Sequence, residues 1–582
     1  MRNFFKIFFA SLLALVIFTL LAVFFLVSMI GGMASKDKPR VAAKSVLVLD
    51  LSQHYEEQVK QDPFSAFRSD DKDIPGLYDV IRLLNKAKTD KNIAGIYIIA
   101  NNNPNGFAAS EELRNALKNF KMSNKFILAH GDIITQKAYS VANIADKIYV
   151  SPQGYVEWAG YSVELAFLKG TLQKLEIEPQ VFYAGKFKSA TEPLRTDEMT
   201  PENELQTSVW LNDLYNDLLL KTAEVRKIDT ATLHQLDKKK KIQNAKDAVD
   251  HKLVDALKYD DELKDEIKGK LGIGKYDRIN FITINTYLAA TNINKRSGEK
   301  IALIYAEGNI VDGKADEGIG GDTYRNLVRK ARLDKSIKAI VFRVNSGGGS
   351  SMASETIWRE LSLAKQEKPV VVSFGDVAAS GGYYISCAAD SIFALPTTIT
   401  GSIGVFGIIP NMQAFFKNKL GVTFDGVKTA PYADAGGVYR PLNEAEKRMV
   451  QANVDMIYTQ FKQRVADGRK KDTAYVDSIA QGRVWTGLRA KDIGLIDRFG
   501  GIEDAIKSAA ALAKLTDYSV REYPEPKNIF DRIFGKSDPL SYSEKMKEEL
   551  GAENYKIYLE LKRVKEMSNT VQARLPFKFF IH

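Results

Sequence analysis

The sequence predicts an α/β protein: two tandem repeats of one α/β unit behind an N-terminal transmembrane helix. Three observations lead there. Phe8 to Ile30 is dominated by Phe, Leu, Val, Ile and Ala, and no charged residue occurs from Ile7 to Ser35. After it, β-branched apolar runs alternate with helical patterns, which implies right-handed crossovers and a largely parallel sheet. The chain also aligns with itself, without a gap over about eighty positions, at a constant offset that pairs Asp90 with Asp334.

The opening apolar run is long enough to span about 30 Å of hydrocarbon. A cleaved secretory signal has a shorter apolar core, roughly 7–15 residues, so residues 1–40 are expected to be a retained anchor. Basic residues flank both sides: Arg2 and Lys6 before it, Lys36, Lys38 and Arg40 after it. The first repeat, residues 41–290, opens with the strand-like Ser45–Leu51 and includes Ile93–Ala100. A polar linker, residues 291–299, separates it from the second repeat. That repeat, residues 300–520, opens with Lys300–Tyr305. Residues 521–582 read as a helical appendage: Ser541–Met567 has a charged helical pattern, and Leu575–His582 is apolar but too short to span a membrane.

The matches between the copies are specific. Asn101 aligns with Asn345, Ala109–Glu111 with Ala353–Glu355, Gly131–Asp132 with Gly375–Asp376, Tyr139 with Tyr383 and Gly160 with Gly404. The differences are concentrated. Ser380 aligns with Gln136 and Gly381 with Lys137, and the glycine loop Asn345–Ser350 aligns with Asn101–Gly106. The second copy keeps a serine and a glycine loop that the first lacks. If both served only packing, the first copy would need them too.

Composition narrows the function. The chain has 582 residues, 45% hydrophobic and 26% charged, ordinary for globular protein. The net charge of +10 is spread out, and no nucleic-acid-binding motif accompanies it. The single cysteine, Cys387, excludes an internal disulfide and a cysteine-based metal site. No cofactor and no metal are expected. The five histidines are His54, His130, His234, His251 and His582, so the second repeat contains no imidazole.

Ser380 follows the apolar strand Pro369–Phe374 and precedes the helical Tyr383–Ala389, which places it at a strand-to-helix turn. There it meets unpaired backbone N–H groups and the positive end of the helix dipole. Gly381 and Gly382 allow close approach of a substrate backbone. The plain alternative is a helix N-cap in a tightly packed turn. The glycine loop, beside this turn, would supply an oxyanion hole from the N–H of Gly348 or Gly349 and that of Gly381, each donor contributing about 3 kcal/mol. Without histidine, a desolvated lysine could serve as base. Lys188 of the first repeat and Lys428 of the second are both open on this reading. Ser402, in Thr400–Gly404, could orient the amine or simply serve the turn.

The motifs Asn345–Ser350, Ala378–Tyr383, Thr400–Gly404 and Tyr183–Pro193, in this order and spacing, resemble those of the long, two-repeat form of the signal peptide peptidase A (protease IV) family. The resemblance covers nearly everything from the anchor to about residue 510. It implies a Clp-protease/crotonase-like fold and a membrane-anchored serine endopeptidase with a Ser–Lys dyad. Its substrates would be remnant signal peptides and other extended hydrophobic peptides. It assigns Ser380 as nucleophile, Lys188 rather than Lys186 as base, and Ser402 as the serine that contacts the lysine. A one-repeat form with its lysine about fifty residues after the serine keeps Lys428 in view. The resemblance further implies a homotetramer at the inner (plasma) membrane with its catalytic body extracytoplasmic, in the periplasm. One position departs from the pattern: Gly347 stands where the family usually has proline, which loosens the loop without removing an oxyanion donor. The rival readings are a crotonase-like acyl-CoA enzyme and a non-catalytic membrane scaffold with a protease-derived fold.

Overall fold

The structure, a computed structural model, describes residues 39–59, 74–293, 298–315, 318–525 and 571–575, with residues 4, 6–19 and 21 near the start. Residues 6–19 are helical and exposed. Residues 1–3, 5, 20 and 22–38 of the proposed anchor lie outside the described residues, and no described helix is long and apolar enough to cross a membrane.

The first repeat builds a six-stranded sheet in the order Ala256–Leu257, Lys147–Val156, Phe126–Ile134, Ile93–Ile99, Ser45–Asp50, Phe281–Thr283, every neighbouring pair parallel. Its central strands carry Val46, Leu47, Ile96, Ile98, Ile127 and Leu128, all fully buried. Burial on both faces is what a parallel sheet covered by helices requires, and it explains why these strands read as continuous apolar runs. The amphipathic helices Leu77–Thr89 and Phe107–Lys121 supply that cover with Leu83, Leu84, Leu113, Leu117 and Phe120.

The second repeat builds an eight-stranded sheet on the same plan. Val370–Ala379 lies between Ile337–Ser346 and the pair Ser391–Ala394 and Ile399–Gly401. Duplication extends beyond the aligned motifs. Pro201–Arg226 and Glu444–Arg469 are both 26-residue helices, each ending on a left-handed lysine, Lys227 or Lys470. Tyr518–Tyr523 pairs in parallel with Glu299–Glu307, so the second sheet runs past residue 520. Residues 571–574 form a strand, not part of a helical appendage, because they pair with strands on both sides. The helical pattern at 541–567 lies outside the described residues.

A third sheet joins the repeats. Glu178–Ala184 of the first runs antiparallel to Val405–Asn411 of the second, in register from Ala184 opposite Val405 to Glu178 opposite Asn411. A buried ion cluster reinforces the joint. Arg343, on the central strand of the second sheet, donates to Glu57 (2.8 and 3.0 Å) and Glu112 (2.6 Å) of the first repeat. It also donates to Ser373 Oγ and the Phe374 carbonyl. Asp376 accepts from the Ala109 N–H at 3.0 Å, capping a first-repeat helix from the second repeat. Burial pushes the Glu112 carboxyl up, against the Arg343 charge that holds it down. Such a cluster contributes little net stability but is costly to break. Arg343→Met is therefore expected to destabilise the chain by about 3–5 kcal/mol, since it leaves two carboxylates buried without their partner. Denaturant unfolding of the variant against the wild type measures this.

Candidate active site

Ser380 closes the strand Val370–Ala379 and caps the short helix Gly381–Ser386. Its backbone is at φ 55° and ψ −116°, a conformation that costs a non-glycine residue about 1–3 kcal/mol. The Ser380 N–H donates to the Gly401 carbonyl at 2.8 Å, and the Ser380 carbonyl accepts from the Tyr384 N–H, so the turn is held from both sides. Ser402 is also left-handed, at φ 49°, and its N–H donates to Arg483 O at 2.7 Å. Two serines in strained backbone face one point, and that point is the amine of Lys188.

Lys188 Nζ lies 2.9 Å from Ser380 Oγ, 3.1 Å from Ser402 Oγ and 3.2 Å from the Ser402 carbonyl. Lys188 is 1% exposed and both serines are fully buried. Among the described residues no carboxylate is within ion-pair distance of this amine. Burial alone pushes the Lys188 amine well below its ordinary value of 10.5. A neutral amine has two N–H donors and one lone pair. The two oxygens of Ser402 take the donors, which leaves the lone pair for the Ser380 hydroxyl proton.

The sheet between the repeats makes this contact. Pairing of Ala184 with Val405 brings the chain four residues after Ala184 against the chain three residues before Val405. The lysine loop is then locked by groups that carry no motif. The Gln206 amide donates to Phe187 O (3.1 Å) and Ser189 Oγ (3.0 Å), and its carbonyl accepts from the Val484 N–H (3.0 Å). The Gln481 carbonyl accepts from the Phe187 N–H at 2.8 Å. Gly482, at φ +75°, passes so close that a β-carbon there would stand 2.7 Å from Lys188 N and Cβ. Sequence reading missed Gln206 and Gly482. A left-handed glycine before a strand is a weak signal, and a glutamine in a long helix is none.

The rival lysine is elsewhere. Lys428 pairs with Asp434 at 2.6 Å and its side chain is 40% exposed. Lys186 points its ammonium over the Phe187 ring. Of the glycines, Gly348 (φ +95°) and Gly381 lie face to face: a β-carbon on Gly348 would stand 2.6 Å from the Gly381 nitrogen. Gly349 packs on the other side against Ile310. The turn of the first repeat serves as an internal control. Gln136, where the second copy has Ser380, is buried and satisfies a backbone turn, donating to Gly160 O (2.7 Å) and accepting from the N–H of Ala159 and Gly160. At the equivalent turn of the first repeat the side chain satisfies backbone groups instead of meeting an amine.

A buried hydroxyl hydrogen-bonded to a buried amine that has no carboxylate partner among the described residues, beside a glycine-lined helix start, is the layout of a serine hydrolase. Comparison with known proteins makes the class specific: this is a serine peptidase. The model of Peptidase family S49 matches residues 119–273 and 362–516, once in each repeat, and the chain belongs to that family. It is 38% identical over 471 residues to "Protease 4" of Salmonella typhi, covering 78% of this chain and 75% of that one. To "Protease 4" of Haemophilus influenzae it is 34% identical, covering 77% and 74%. To the chloroplastic "Serine protease SPPA" of Arabidopsis thaliana it is 31% identical, covering 82% and 70%.

The depressed Lys188 value has a thermodynamic consequence. Between its folded-state value and 10.5, the unfolded chain holds a proton on this amine that the folded chain does not. Stability contributed by this group therefore rises with pH across that window and is lost as pH falls. Lys188→Met is expected to be more stable than the wild type at neutral pH, with the gap closing as pH rises toward 10.5. Melting temperatures of the two proteins across pH check the sign.

Proposed function

We propose that this serine peptidase works through a Ser–Lys dyad in which Ser380 is the nucleophile and Lys188 the general base. The observation that carries the reading is the 2.9 Å contact between a fully buried hydroxyl and a buried amine with no carboxylate partner. Ser380 Oγ attacks the scissile carbonyl as its proton passes to Lys188 Nζ. The resulting ammonium keeps its bonds to Ser402 and then protonates the leaving amine. The Gly381 N–H, at the start of a helix, and an N–H of the Gly348–Gly349 segment face the developing oxyanion. An amine that is neutral before attack leaves no charge in the resting site, which suits apolar, extended substrates.

The substrates in this reading are remnant signal peptides and similar hydrophobic peptides, cut at a membrane. The charge-free run from Ile7 to Ser35 supports anchoring, with the α/β body held outside the cytoplasm at the inner membrane. Deleting residues 1–40 is expected to move the protein from the membrane fraction to the soluble fraction while it still cleaves peptides. Retention of the deleted form on membranes would contradict the anchor.

Ser380→Ala and Lys188→Ala are each expected to lower kcat/KM on an unstructured hydrophobic peptide by about a thousandfold or more. Lys428→Ala is expected to change it less than about twofold, since an exposed lysine paired with Asp434 contributes little. The wild-type rate should fall on the acid side through a single ionisation well below 10.5, because protonated Lys188 cannot accept a proton. Intact peptidase activity in Ser380→Ala, or a larger loss in Lys428→Ala than in Lys188→Ala, would refute the dyad.

A further inference from the structure

Where the second repeat has Gly381, the first has Lys137, a lysine that takes no part in the dyad. Lys137 lies in the first turn of the helix Gln136–Ala142, the end of a helix where a cation is least favoured. Its ammonium stands 5.7 Å from the centroid of the Phe107 ring. Among the described residues that ammonium has no hydrogen bond and no ion pair. The Asp376 carboxylate nearby is beyond ion-pair distance and accepts from the Ala109 N–H instead. Burial pushes the Lys137 amine below its ordinary value of 10.5, against the pull of the Asp376 charge. A cation held partly out of water without an anion is costly to keep.

The surface beside Lys137 is apolar and leads to the serine. Phe107, Tyr161, Val163 and Leu211 of the first repeat and Val377 and Ile399 of the second are half-buried, and they pack on a buried cluster that includes Ala379, the residue before Ser380. Val377 and Ala379 point to one face of their strand, and Ile399 pairs with Val377 on the neighbouring strand. Leu575 belongs to the buried part of this cluster, and the half-buried side chains are the part that solvent reaches. Gly106, next to Phe107, lies against the Asp376 carboxylate, which sets Lys137 level with residues 376 and 377 of the strand that ends at Ser380. At ~3.3 Å per strand residue, the ammonium is about 10–13 Å from the serine along that strand. An extended peptide covers this span with about three or four residues.

From this placement we propose that Lys137 and the apolar surface form a subsite for the C-terminal end of the substrate, with the ammonium taking the terminal carboxylate. The inference rests on the Ser380–Lys188 reading and narrows its substrates to hydrophobic peptides that end in a free carboxylate close to the cleaved bond. A peptide released by an earlier cleavage has such an end, whereas an intact polypeptide carries it far from most of its bonds. The subsite therefore selects fragments that another peptidase has already cut.

Two hydrophobic peptides of one sequence, one ending in a free carboxylate and the other in a carboxamide, test this. The wild type is expected to cleave the acid with a kcat/KM about tenfold or more above that of the amide, the difference lying in KM. Mass spectrometry of the products is expected to place the cut about three or four residues from the carboxylate. In Lys137→Met, which keeps an apolar side chain, the acid-to-amide ratio is expected to fall to about one, while Lys137→Arg keeps most of it. Equal rates on acid and amide in the wild type would overturn the subsite and leave the dyad standing. So would a ratio that survives in Lys137→Met, or a cut whose position ignores the terminus. An amide peptide with glutamate where the terminal carboxylate would fall supplies the same charge from a side chain, and its cleavage as fast as the acid would overturn recognition of the terminus. Failure of the wild type to cleave any of these peptides would overturn the dyad as well.

Discussion

Burying a lysine amine without a counter-ion is expensive, and this fold is organised to hold one there. An ammonium in such a place would need a carboxylate or water, and Lys188 has two serine hydroxyls and one carbonyl instead. The cheaper state is the neutral amine, and the neutral amine is the form that can take a proton. The same desolvation that opposes folding below the ordinary lysine range disfavours the ammonium of Lys188. Its position depends on the antiparallel pairing of Glu178–Ala184 with Val405–Asn411, because neither repeat contains both the amine and the hydroxyl. The Arg343 cluster and the Asp376 cap hold the two bodies in the orientation that the pairing needs.

Duplication followed by divergence explains the division of labour. Each copy keeps the parallel sheet, the covering helices and a turn at the end of its third strand. At that turn the first copy has Gln136, whose amide fulfils backbone hydrogen bonds with Ala159 and Gly160. The second has Ser380 in a strained conformation with Gly404 nearby. The converse holds at the lysine segment. The first copy places Lys188 inside the joint, whereas the second places Lys428 on the surface beside Asp434. One copy places the buried amine and the other the buried hydroxyl that it meets.

Much of this was legible in the sequence. The constant-offset alignment showed two α/β units, and the asymmetry at Gln136 and Ser380 pointed to the serine. Residue chemistry alone could not choose between Lys188 and Lys428. The choice depends on a strand pairing about two hundred residues apart in sequence, which local patterns do not encode. The final strand was read as part of a helical tail, because Val571–Arg574 is too short and too mixed to show a period of two. Its conformation comes from the strands it pairs with on either side, not from its own propensities. Gln206 and Gly482 were invisible for a related reason: their importance lies only in what passes beside them.

The central claim is that Lys188 is an uncharged amine in the folded protein at neutral pH. Selective isotope labelling of lysine, with NMR titration of the ε-carbon and ε-nitrogen signals assigned through Lys188→Met, measures it directly. One lysine is predicted to show the shifts of a neutral amine at pH 7 and to lose them only on acidification, while Lys428 remains an ammonium. An ammonium signal for Lys188 that persists up to the ordinary lysine range would contradict the account.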